Sequence, residues 1–232
     1  VLVVDADLGL NNIDILLGLA SKKHIGHVLS GESNVEDIIL NGPEGIHVLP
    51  AGDGLQELTQ LETEKKMMLM DELDRVSRGY DFLIFDTGAG ISPNVTFFCS
   101  AAHETLLIAT TEPTSLTDVY ALMKILHNNH SQKNFRLIVN SVVSEREAQG
   151  VYRNLIAVTD RFLSGVSVEY MGYILHDPNV SKAIRQQKAF LEIYPFSKFS
   201  GCINELAEKV SNEKPKFLSG DEGNQPYFWR GA

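Results

Sequence analysis

Short apolar runs alternate along this chain with stretches whose apolar residues recur every three or four positions. Runs at 1–4, 46–50, 80–86, 105–110, 135–139 and 168–174 read as strands. The first, Val1-Leu2-Val3-Val4, has the β-branched content of a buried strand, and the run at 105–110 is continuously apolar, as a buried parallel strand should be. Between the runs, Met67, Leu69, Met70, Leu73 and Val76 predict one buried helical face over 64–78, with the methionines as core filling. Leu116, Val119, Leu122, Met123 and Leu126 make a second stripe. Val151, Leu155, Val158 and Phe162 make a third, and Phe199, Ile203, Leu206 and Val210 a fourth. Shorter helices are expected over 13–19, 35–40 and 180–188, and Ser92-Pro93-Asn94 opens another, with Pro93 suited to its first turn. Asn41-Gly42-Pro43-Glu44-Gly45 is turn chemistry, yet no Asn-Gly hairpin signal joins two strands directly. The pattern predicts an α/β fold with a mostly parallel twisted sheet and helices on both faces. From residue 211 onward the chain is polar and broken by Pro215, Gly220, Gly223 and Pro226, so a mobile tail is expected over 211–232 behind one domain at 1–210.

A parallel sheet delivers the carboxyl ends of its strands to one rim, where ligands collect. In this reading the strand ends carry Asp5 and Asp7, Asp53, Asp86, Asn140 and Asp177. Asp5-Ala6-Asp7-Leu8-Gly9 sets two carboxylates beside a permissive glycine, which suits a metal–phosphate site; the competing reading is that both acids cap a helix starting near Asn12. Leu83-Ile84-Phe85-Asp86 is an apolar strand closing on one acid, the Walker-B arrangement whose carboxylate holds magnesium, usually through water. Thr87-Gly88-Ala89-Gly90 is its glycine-rich exit. Taken alone, Asn140 reads equally as a strand cap and Asp177-Pro178 as a plain turn.

Composition narrows the classes. With 232 residues, 44% hydrophobic and 22% charged, the chain is an ordinary globular protein. A net charge of −10 does not hold nucleic acid through bulk electrostatics. Cys99 and Cys202 form neither a disulfide framework nor a CxxC metal site, which points to a reducing cytoplasm. No signal peptide is visible, and nothing approaches the ~18 apolar residues that cross a bilayer. Val1 sits inside a strand, so the sequence reads as beginning late.

Asp5-Ala6-Asp7-Leu8-Gly9-Leu10-Asn11-Asn12-Ile13-Asp14-Ile15-Leu16-Leu17-Gly18 resembles the segment after the phosphate loop in the MinD/ParA group of deviant Walker-A ATPases. Within that group the chain resembles the flagellar-number regulators, the FlhG/FleN type, through Glu112-Pro113-Thr114-Ser115 and its continuation to Lys124, Val158-Thr159-Asp160-Arg161-Phe162-Leu163, and the segment from Asp177-Pro178 to Lys188. The resemblance implies a P-loop NTPase fold binding ATP and Mg2+. It makes Asp7 the acid that orients or deprotonates the attacking water, Asp5 a support for magnesium and the phosphate loop, and Asp86 the holder of the magnesium's water shell. Asn140 becomes the adenine contact, with Pro178 lining the adenine side and the Gly88–Gly90 loop a switch sensing the terminal phosphate. ATP would promote a homodimer with nucleotide between the subunits, and hydrolysis would release it. The cycle would serve flagellar placement and number through the flagellar SRP-type GTPase, a flagellar transcriptional activator or switch-ring components, in the cytoplasm or peripherally at the inner membrane or cell pole. The tail, with Tyr227-Phe228-Trp229-Arg230 among its breaks, does not read as a membrane-binding amphipathic helix; the stripe ending at Val210 is the other candidate, read first as core. One departure is large: no Gly-Lys-Ser/Thr phosphate loop occurs in these residues, so its strand and loop are expected upstream. Two alternatives stay open, a division- or partition-type relative and a non-catalytic binding module that has lost its phosphate loop.

Overall fold

The computed structural model describes residues 1–8, 12–52 and 62–212, so Gly9, Asn11, Asp53 and, of the tail expected over 211–232, residues 213–232 lie outside the described residues. The chain divides into two compact units, one formed by Val1–Ala102 with Ile184–Ala189 and the other by His103–Ala183 with the described residues from Phe190 to Asn212.

The first unit is built on β1 (Leu2–Asp5), which lies at the centre of a four-stranded sheet with β2 (Leu40–Asn41), β3 (His47–Leu49) and β4 (Leu83–Asp86) in the order β2-β3-β1-β4. β1 pairs in parallel with both β3 and β4, and Asp5 stands opposite Asp86 in the register. Leu2 and Val4 are fully buried, and they pack with Leu49, Ile25, Val28, Leu69, Leu73 and Phe98. Each such side chain contributes roughly 1.5–3 kcal/mol of burial. Helices α1 (Ile13–Leu16), α2 (Ile25–Leu29), α3 (Thr63–Ser77) and α4 (Pro93–Ala101) complete the unit. α4 starts where expected, with the Ser92 hydroxyl accepting from the Val95 N–H and Pro93 in the first turn.

Four expectations change here. β2 pairs antiparallel with β3, so the Asn41-Gly42 turn does join two strands; a strand of two residues is too short to show a hydrophobic period. The helix expected over 35–40 is a single 3-10 turn, Val35–Ile38. α3 buries Leu69, Met70 and Leu73, but Met67 is 44% exposed, one position off the buried face. α1 stops at Leu16 rather than 19, because Gly18 takes a φ of +64° and sits against the Gln187 backbone, where a Cβ would meet its oxygen at 3.2 Å.

The second unit carries three parallel strands, β5 (Leu106–Ala109), β6 (Asn134–Val142) and β7 (Ser167–Leu175), in sequence order. Helices α5 (Pro113–His130) and α6 (Glu145–Phe162) connect them, followed by α7 (Val180–Arg185), α8 (Phe190–Ile193) and α9 (Lys198–Asn212). The stripe of α9 packs as core: Leu206, with Phe199, Ile203 and Val210, lies on Ile138, Met171 and Ile174. α6 corrects its expected stripe. It buries Ala148, Val151, Leu155 and Thr159, whose hydroxyl donates to the Leu155 carbonyl, while Val158 and Phe162 face outward. A satisfied threonine hides among apolar neighbours, whereas a string of apolar letters does not show which side is wet.

β5, read from the sequence as a buried parallel strand, is parallel but lies at an edge among the described residues, and its Ile108 is 49% exposed. β4 likewise ends its sheet, with Ile84 at 50%. Apolarity alone cannot separate an edge strand from a fully flanked one. α7 also closes at Arg185, short of 188, before Gln187 turns to a φ of +53°.

Candidate functional site

Asp5, Asp7 and Asp86 meet at the carboxyl end of the first unit's parallel pair. Asp5 and Asp86 end β1 and β4 side by side, and the Ala6 N–H extends the ladder to the Asp86 carbonyl at 2.8 Å. Asp7 lies one step further along the same exit. Its carboxylate rests on the Gly88 backbone, where an added Cβ would stand 3.0 Å from Cγ and 3.1 and 3.2 Å from the two oxygens. Gly88 is thus the residue that leaves room for Asp7.

Asp5 is 1% exposed and works as a staple. Its Oδ1 accepts from the Asp7 N–H at 3.2 Å, and its Oδ2 accepts from the N–H groups of Asn12 and Ile13 at 2.9 and 3.3 Å. The carboxylate therefore ties the start of α1 to the end of β1, the capping role weighed for it above. Burial pushes its pKa above the ordinary aspartate value; the three N–H donors pull it down, and the charge of Asp86 adds to the rise. Asp86 is also raised, by burial and then by the charge of Asp7, although its exposed position lets solvent soften both effects. The three acids form a like-charged group, in which Asp86 acts on Asp5 and Asp7 acts on Asp86.

Such a group fits magnesium in one particular way. Among the described residues no three acids, histidines or cysteines close into a metal cage. Magnesium, however, keeps several waters and needs only one or two carboxylates besides a phosphate ligand. Asp86 and Asp7 have the freedom for this. Asp5, read from sequence as a magnesium ligand, has both oxygens engaged by backbone.

The other expected residues lie in the second unit. Asn140 sits in β6 where the register with β7 slips: Val139 faces Tyr173 and Val142 faces Leu175, so Asn140 and Ser141 oppose the single residue Ile174. Asp177 and Pro178 follow the end of β7, where Asp177 Oδ1 accepts from the Asn179 N–H at 2.8 Å. Asn140 and Pro178 are thus on neighbouring strand ends of one unit. Asp53 and Gly9 lie outside the described residues.

Two groups escaped the sequence reading. Arg136, inside β6, is buried with its guanidinium on Glu104 at 2.7 Å and Glu169 at 3.0 Å; a lone arginine in an apolar run was the available signal. Ser141 shares a hydrogen bond with His176 Nδ1 at 3.1 Å, and nothing in the letters marks that pair. No helix among the described residues is long and apolar enough to cross a membrane.

A family model described as an AAA domain matches residues 1–139. The antiactivator FleN of Pseudomonas aeruginosa is 40% identical over 212 residues, covering 91% of this chain and 75% of that protein. The flagellum site-determining protein YlxH of Helicobacter pylori is 29% identical, covering 88% of this chain and 69% of its own length. Among solved structures, the MinD cell division protein of Aquifex aeolicus superposes with a TM-score of 0.72 at 22% identity, covering 92% of this chain and 84% of that one. The septum site-determining protein MinD of Pyrococcus horikoshii, solved with Mg-ADP, gives 0.68 at 22%, covering 91% and 83%. The likeness of fold, the match over 1–139 and the identity with FleN agree with the acids gathered at the β1 and β4 ends: the chain belongs to the AAA-domain family and, within it, to the MinD/ParA-type ATPases of the FlhG/FleN kind.

Proposed function

We propose that this chain is the ATPase part of a molecular switch that sets flagellar number and placement, and that residues 1–210 work as its ATPase domain. The flagellar assignment leans on the 40% identity with FleN, against 22% with the Aquifex MinD. The grouping of Asp5, Asp7 and Asp86 is the single observation that carries the chemistry.

In this reading Asp5, Asp7 and Asp86 serve phosphate and metal, and Asn140 and Pro178 serve the base. Asp86 would hold a magnesium ion through its water shell, where the ion would neutralise charge on the transferring phosphoryl group. Asp7 would orient the water that attacks the terminal phosphate, with Gly88 fixing where its carboxylate stands and the Gly88–Gly90 loop following the terminal phosphate. Asp5 would act from behind, holding the β1–α1 connection on which Asp7 rides. Asn140 would read the adenine edge, since an amide both donates and accepts, and Pro178 would line that side. Phosphoryl transfer asks for positioning and electrostatics rather than covalent chemistry, which is what these residues can supply. ATP would favour a homodimer and hydrolysis would release it, coupling turnover to a flagellar SRP-type GTPase, a flagellar transcriptional activator or the switch ring. None of the 232 residues forms a Gly-Lys-Ser/Thr loop, so no residue here is assigned to neutralise the phosphates.

The test is Asp7→Ala in the full-length protein. Turnover should stop while nucleotide-driven dimerisation persists; unchanged hydrolysis would remove Asp7 from its role. Isothermal titration of this chain alone with Mg-ATP should show no tight binding, because no Gly-Lys-Ser/Thr loop is among its residues; submicromolar affinity would mean that other residues here hold the phosphates.

A further inference from the structure

The extra residue in β6 is unusual in its backbone. Ser141 has a φ of +58°, the left-handed region that an L residue with a side chain disfavours and that such bulges normally give to glycine. A serine held there needs something to hold it. The structure supplies a contact from the next strand: the Ser141 hydroxyl and His176 Nδ1 lie 3.1 Å apart. His176 is itself anchored, because its N–H donates to the Val142 carbonyl at 2.8 Å. Two hydrogen bonds thus tie the end of β6 to His176 just past β7, one from the bulge residue Ser141 itself and one to Val142 directly after it. On one strand the tie is adjacent in sequence to Asn140, and on the other to Asp177 and Pro178. Bulges re-aim side chains next to functional sites, and strained conformations persist where surroundings over-determine them.

We infer that the Ser141–His176 pair is a positioning clamp, which locks the β6 bulge so that Asn140 and Pro178 keep one fixed arrangement for reading an adenine base. His176 and Ser141 touch no base in this role. They act through Asn140, so their loss relaxes base discrimination without removing the contact residue. The inference rests on the adenine reading of Asn140 and deepens it.

The experiment measures binding of methylanthraniloyl-labelled ATP and GTP to the full-length protein and its variants, with melting temperatures alongside. The wild type should favour the adenine nucleotide, and Asn140→Ala should abolish that preference. His176→Ala should lower the GTP-to-ATP dissociation-constant ratio by about two- to tenfold, the range of one net neutral hydrogen bond. His176→Asn should restore the ratio, because its amide nitrogen reaches the place of Nδ1. Ser141→Gly is the decisive variant: glycine accepts the backbone conformation, so melting should hold or rise while discrimination still falls. A wild-type ratio in both His176→Ala and Ser141→Gly, with the ratio lost in Asn140→Ala, would overturn the clamp and leave the adenine reading standing. A wild-type ratio in Asn140→Ala would overturn that reading and the clamp with it.

Discussion

Asp5→Ala separates a carboxylate that builds the site from one that only reacts in it. The side chain is 1% exposed and accepts from three backbone N–H groups. Removing it leaves those donors to find other partners. Ile13 is 8% exposed, so its N–H is left largely without water, at about 1–3 kcal/mol. Asn12 is exposed and Asp7 half-buried, so water replaces much of what they lose, at roughly 0.5–1 kcal/mol each. Against this, the variant removes a charge that burial and Asp86 both disfavour, which returns part of the loss. The net is a destabilisation of about 2–3 kcal/mol in the first unit. Urea unfolding followed by circular dichroism measures it as a lowered midpoint at constant slope. Asp5→Asn keeps an acceptor oxygen and drops the charge, so it should lose roughly 1 kcal/mol or less. The reasoning fails if Asp5→Ala unfolds within about 0.5 kcal/mol of the wild type, since surface substitutions do no more than that.

Gly88→Ala should leave stability nearly intact, because the atom in its way is the end of a flexible side chain, 3.0 Å from the new Cβ. Moving Asp7 aside by a few tenths of an ångström should nonetheless slow ATP hydrolysis by the full-length protein, by roughly severalfold to tenfold; a wild-type rate would separate Asp7 from turnover. The raised carboxylates give a pH dependence of definite sign. The folded state holds a proton on Asp86 above the ordinary value of 3.8 more readily than the unfolded chain does, so this group's contribution to stability falls as pH rises through that window. Asp86→Asn should therefore flatten that part of the profile and raise stability near neutral pH by a few tenths to about 1 kcal/mol, given its exposure; an unchanged profile would mean that Asp7 and burial do not act on Asp86. Arg136→Ala should cost about 2 kcal/mol in the second unit, chiefly through the space that the buried side chain leaves, because Glu104 and Glu169 are 39% and 52% exposed and regain water. Arg136→Met, which refills the space, should cost less in the same urea unfolding.

Most of the element order was legible because apolar runs of strand length alternate with stripes at helical spacing, whereas α2 and α8, like β2, are too short to show either. What could not be read was the surroundings of a run. Leu106-Leu107-Ile108-Ala109 is equally apolar whether one neighbour or two flank it, so its run reads as a buried parallel strand, while among the described residues β5 stands at an edge with Ile108 half exposed. β2 failed by length, and α6 failed because Thr159 is polar in the alphabet and apolar in effect once its hydroxyl bonds backward.

The site shows a different limit. Spacing alone could say that Asp5, Asp7 and Asp86 end two strands, and the parallel rule then forces their meeting. It could not divide labour among them, because capping a helix and facing a metal both ask for a carboxylate at the same place. Counting acceptor sites divides it. A carboxylate offers about four lone-pair positions, and three N–H groups claim three of those on Asp5. The remaining acids are the ones free to face a ligand, and of these Asp7 is the one whose position a single glycine decides. The two readings of Asp5 are therefore not rivals. The cap holds the turn in which Asp7 sits, so the folding role of one acid sets where the next one stands.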